Sequence, residues 1–93
     1  MSSIRDIFAC TPKRITFKGV DAELRRPSAL DLLEALQVGK DNPQHLYAWF
    51  VYNHLQQDGQ RVFGSVAEVL GSYAPYVAEL GREIELLYEE GRD

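Results

Sequence analysis

The spacing of apolar positions switches from two to about 3.6 at Pro27, and this divides the chain into a front hairpin and a helical remainder. From Lys13 to Lys18, Ile15 and Phe17 point one way while Arg14, Thr16 and Lys18 point the other, as a half-buried strand requires. Gly19, Val20 and Asp21 supply turn chemistry. On the return, Ala22, Leu24 and Arg26 alternate with Glu23 and Arg25, which predicts a β-hairpin over about 13–26. Ahead of it, Ser2 or Ser3 can cap a short helical turn with Ile4, Ile7 and Phe8 on one side, ended by Thr11 and Pro12.

Beyond Pro27, Ser28 followed three residues later by Asp31 is a short-armed capping box and opens a helix over about 29–38. Ala29, Leu32, Leu33 and Leu36 share its apolar face, Asp31 and Glu34 lie away from it, and Gly39 closes it. Asp41 or Asn42 before Pro43 starts a helix over about 43–57, ended by Asp58-Gly59. Its Leu46, Tyr47, Trp49, Phe50, Val51 and Leu55 spread over an arc of about 240° at 100° per residue, wider than one buried stripe. Such a helix is either central to the domain or offers one face to another chain. Ser65 with Glu68 opens a short helix over about 65–71, closed by Gly71. Ser72 then caps a last helix over about 73–90, with Pro75 in its first turn and Val77, Leu80, Ile84 and Leu87 as its stripe. Gly81, beside that stripe, predicts a close helix crossing, and the terminal YEEGRD is expected to fray. The expected architecture is helix-dominated α+β: one domain, 1–93, with an N-terminal β-hairpin packed on about four helices.

Composition adds little to this fold but narrows the function. With 45% hydrophobic and 26% charged residues, the 93-residue chain lies outside the regime of disorder, and its core is small. The single Cys10 cannot form an internal disulfide. No run of about 18 apolar residues is present to span a membrane, and the first residues lack the apolar stretch of a signal peptide, so a reducing cytoplasm is expected. Charge is polarised. Residues 1–26 hold six cations against three anions, a net of +3, while residues 27–93 hold four against eleven, a net of −7. Opposite patches of this kind suit head-to-tail association of identical subunits, with Arg25 and Arg26 as candidate contacts.

Candidate chemistry is sparse. Cys10 has no histidine near it in sequence and reads as a small hydrophobe. His45 and His54, nine residues apart, fall on opposite sides of one helix and cannot share a metal there. The acidic run Glu79, Glu83, Glu85, Glu89, Glu90 and Asp93 lacks the loop and glycine of a calcium site. No catalytic, cofactor-binding or metal site is therefore expected, and the chain does not read as an enzyme. The basic hairpin (Lys13, Arg14, Lys18, Arg25 and Arg26) could enter a DNA groove, and a small nucleic-acid-binding regulator is the alternative function; the net charge of −4 works against it. Protein association is the stronger expectation, because aromatic residues dominate interface hot spots. Trp49 and Phe50 are assigned to the core. Tyr47, Val51 and Leu55, towards the far side of the arc, are the interface candidates, with Tyr73 and Tyr76 as secondary ones.

The order of these parts carries a resemblance that covers about Lys13 to Leu87. A basic strand pair leading into LRRPSALDLLEAL, then a helix, then QQDGQRVFGSVAEVL and a final amphipathic helix, resembles the tail assembly chaperones of long-tailed, lambda-like siphovirus bacteriophages. Asp58-Gly59 followed by Phe63 and the Val66-Val69-Leu70 helix is its most specific part. The resemblance implies a non-enzymatic protein of the host cytoplasm that gathers the tape measure protein and helps tail tube subunits polymerise around it, without entering the mature virion. It also implies self-association, and in such phages a frameshifted longer form often accompanies the short one.

Overall fold

The computed structural model describes residues 3–90. Helix dominates, beside a four-stranded antiparallel sheet whose strands lie in sequence order, so the architecture is α+β as expected. Strands β1 (Lys13–Phe17) and β2 (Val20–Leu24) pair from Lys13↔Leu24 to Phe17↔Val20. The turn between them is Lys18-Gly19, both at positive φ (52° and 83°), rather than the expected Gly19-Val20-Asp21. Two successive left-handed residues match the strand twist and fix the register one step earlier.

The expected 43–57 helix is three elements. Pro43–His45 form a 3₁₀ turn, α3 spans Leu46–His54, and the chain then straightens into β3 (Leu55–Gln57). Asp58-Gly59, again with φ of 52° and 78°, is the turn of a second tight hairpin into β4 (Gln60–Arg61). This hairpin extends the first one, since β3 pairs with β2 at Glu23↔Gln56 and Leu24↔Leu55.

Helix α3 is central: it packs against α5 (Ala74–Glu89), α4 (Val66–Leu70) and α2 (Ala29–Asp41). The core includes Leu24 and Leu55 from the sheet, Phe50 and Val51 from α3, Val69 from α4, and Leu80, Ile84 and Leu87 from α5. The stripe expected on α5 is thus the one that is buried. Gly81 lets α3 approach: a Cβ there would lie 2.6 Å from Cβ and Cγ of Tyr47, so the crossing tolerates no side chain. The cap of α5 differs from expectation. Tyr73 is its N-cap without a side-chain bond, and Ser72 Oγ instead donates to Glu68 O at 3.0 Å. Ser65 does cap α4, while the Glu68 carboxylate accepts from the N–H of Gly64 at 2.9 Å. At the other end of the chain, Ser3 and Asp6 close a capping box on α1 (Ile4–Ile7); the alternative cap Ser2 and the terminal residues 91–93 lie outside the described residues.

Helix α2 departs most from the sequence pattern. It runs on to Asp41 through Gly39, and the face it turns inward holds Asp31 and Ala35, not the leucines. Leu30, Leu33 and Leu36 are 63, 65 and 59% exposed and Leu32 is 40% exposed.

Candidate functional site

A polar joint explains why α2 is turned this way. Arg25, one residue past β2, donates from Nη1 and Nη2 to the two oxygens of Asp31 at 2.6 and 3.2 Å and from Nε to the carbonyl of Asn53 at 3.2 Å. Asp31 also accepts from the N–H of Ser28 at 2.8 Å, closing the capping box. Burial alone would raise the Asp31 pKa, but the Arg25 and Ser28 bonds outweigh it and hold the carboxyl at about 2. The pair raises Arg25 in turn, through its hydrogen bond to Asp31. A bidentate, charge-assisted pair with little exposure fixes rotation about the helix axis, because both partners must stay together once desolvated. With Asp31 inward, the leucines on the opposite side of α2 face out.

The same joint includes His54, which has no exposed surface. Its Nδ1 lies 2.5 Å from the carbonyl of Arg25, which can only accept, so Nδ1 carries the proton. Nε2 therefore accepts from the Tyr88 hydroxyl at 2.6 Å. Burial pushes His54 down to about 4 and Tyr88 up. His54 is a neutral spacer that joins β2 to α5. His45, on the 3₁₀ turn, is exposed and accepts at Nδ1 from the Asn42 amide at 3.1 Å. Cys10 is exposed. Among the described residues no three His, Cys, Asp or Glu side chains gather as a metal set, and no helix is long and apolar enough to cross a membrane.

The interface candidates divide. Val51 and Leu55 are 1% and 8% exposed and belong to the core, because sheet, α4 and α5 enclose α3 and its wide apolar arc is absorbed within the subunit. Tyr47 is half-buried across Gly81, and its hydroxyl donates to Glu85 at 3.0 Å, which makes it part of the α3–α5 joint. Tyr73 and Tyr76 are exposed, stacked edge to face at 4.8 Å, with Tyr76 also edge-on to Phe17 at 5.2 Å. Arg25 is committed to Asp31. Arg26 donates to Thr11 O at 3.0 Å and approaches Glu90 at 3.9 Å, and Lys18 meets Glu79 at 3.4 Å. Cations of the front end thus meet carboxylates of the back end within one subunit, and this weakens the electrostatic case for head-to-tail contact through Arg25 and Arg26.

The surface that reasoning from periodicity missed is the leucine face of α2, of which it assigned Leu32, Leu33 and Leu36 to the interior. A second apolar surface lies on the N-terminal arm. Every residue from Ser3 to Pro12 is exposed, with Ile4 and Ile7 at 72% and Phe8 at 80%. The arm is held at its root by the Arg26–Thr11 bonds and a long contact from Cys10 Sγ to the Pro27 carbonyl at 3.8 Å. No family model matches this chain, and no curated protein or solved structure is detectably similar to it.

Proposed function

We propose that this chain is a non-enzymatic tail assembly chaperone of a long-tailed phage, acting in the host cytoplasm on tape measure protein and tail tube subunits. The observation that carries the reading is the leucine face of α2: four leucines, each at least 40% exposed, on a helix oriented by a part-buried ion pair. An exposed apolar helix face is a surface for another chain, suited to covering the apolar side of a long helical client. Reversible shielding requires no bond chemistry, and many weak copies along one filament would hold by avidity. The alternative, a nucleic-acid regulator, draws on the basic hairpin, but Lys18, Arg25 and Arg26 already face carboxylates of their own subunit.

The test is co-expression with a phage tape measure protein, scoring its soluble fraction. Wild-type chain should raise that fraction, and Leu33→Glu with Leu36→Glu should abolish the gain while leaving the chaperone folded. An unchanged soluble fraction with wild-type chain would overturn the reading, as would steeply salt-dependent binding to duplex DNA in an anisotropy titration.

A further inference from the structure

The arm and the leucine face are both exposed apolar surfaces of one subunit. The arm is a single helical turn whose Ile4, Ile7 and Phe8 lie side by side, with Arg5 at the border of that apolar edge. Asp6, on the opposite side, is committed to the Ser3 cap. The leucine face is bordered next to Leu30 by Glu34 and Asp41. Among the described residues, Arg5 and Glu34 make no ion pair.

We infer that the N-terminal arm of one copy docks on the leucine face of α2 in a second copy, with Ile4, Ile7 and Phe8 on the leucines and Arg5 towards Glu34. The inference deepens the proposed function by naming its self-association contact, and rests on it only in treating the leucine face as a binding surface, for which the arm of a second copy and a client then compete. Area supports a second copy as the occupant. Two reciprocal contacts, each covering an arm whose Ile4, Ile7 and Phe8 are 72–80% exposed and a face of four leucines 40–65% exposed, bury twice what one contact does, towards the roughly 1,200–2,000 Å² that stable interfaces bury in total. The root of the arm, fixed at Arg26 and Pro27, lies directly before the cap of α2, so reciprocal exchange brings two α2 helices together about a two-fold axis.

Sedimentation of the full chain over a concentration series, followed by disulfide trapping, tests this. Wild type should associate. Ile7→Glu with Phe8→Glu, and separately Leu33→Glu with Leu36→Glu, should each weaken association by about tenfold or more, since each places charge at an apolar contact. All four side chains are exposed, so the thermal melts of dilute protein should match wild type and exclude misfolding as the cause. In a Cys10→Ser background, mixed Phe8→Cys and Leu33→Cys proteins should form a disulfide between the two species on oxidation. A strictly monomeric wild type would overturn the inference, as would an arm variant that associates normally, or Leu33→Cys protein that links only to itself. A client that stays insoluble in the presence of associating chaperone would instead sink the proposed function and leave this contact standing.

Discussion

Helices α2 and α5 carry comparable apolar stripes, yet one buries its stripe and the other displays it. On α5, Leu80, Ile84 and Leu87 are at most 6% exposed, and the helix meets α3 at closest approach over Gly81. On α2, the inward residues are Asp31 and Ala35, and the leucines face solvent. The contrast shows that a stripe states only what a helix is able to bury. What it does bury is decided by its strongest fixed contact, which is packing for α5 and a part-buried, bidentate ion pair for α2. Orienting a helix by a salt bridge gains little stability over an apolar contact, but it frees the apolar face for another chain.

The contrast breaks most completely at Asp31. Replacing it with alanine leaves the part-buried Arg25 without its carboxylate partner and removes the carboxylate from the capping box, so a loss of about 2–4 kcal/mol is expected in urea unfolding. If α2 is held only by this joint, amide exchange in α2 should rise more than in α5. A loss below about 1 kcal/mol would show that packing, not the ion pair, sets the orientation.

Acid should loosen the same joint in two stages. His54 titrates near 4 in the fold and near 6.5 in the unfolded chain, so between those values the unfolded state binds the extra proton and stability falls as pH falls. About 2 kcal/mol should be gone by pH 5, from 1.36 kcal/mol per pKa unit. Asp31, depressed to about 2 from 3.8, contributes stability that is present above its unfolded value and is lost as pH drops towards 2. Equal urea midpoints at pH 7 and pH 5 would contradict a buried neutral His54.

Gly81 sharpens the α5 side of the comparison. In an open helix, alanine would gain about 1 kcal/mol over glycine, whereas here its Cβ meets the Tyr47 ring, and a net loss of about 1–3 kcal/mol is expected. In a Tyr47→Gly background, which removes the Cβ and ring that the new methyl would meet, the sign should revert, and a double-mutant cycle measures the coupling.

Much of this was legible in the residues. Gly81 as a crossing, Ser28 and Asp31 as a capping box, the α5 stripe and the β1–β2 hairpin follow from local chemistry. Other features follow from contacts distant in sequence or from elements too short to show a period. Asp58-Gly59 carries the strongest short hairpin signal, but strands of three and two residues display no alternation, so it read as a helix stop. The left-handed Lys18 left no trace, since lysine rarely adopts that conformation. Val51 and Leu55 read as surplus because a wide apolar arc on a helix fits both an interface and a helix enclosed by its own domain. The leucine face stayed hidden for the opposite reason: its stripe was regular, and only the pair formed across Pro27 by Arg25 and Asp31 turns it outward.

The smallest expected effect is the most diagnostic of the two-helix contrast. Leu33→Ser on α2 should change the stability of dilute monomer by no more than about 0.5 kcal/mol, because the side chain is 65% exposed and leaves no cavity. Ile84→Ala on α5, with no exposed surface, should cost about 2–5 kcal/mol. The comparison needs protein dilute enough to be monomeric, since association adds stability by mass action and would make Leu33 appear structural. Raising the concentration then separates the two roles: the Ile84→Ala deficit should stay nearly constant, while a Leu33→Ser deficit should emerge and grow. A Leu33→Ser deficit already full at high dilution would mean that α2 holds its leucines against its own subunit.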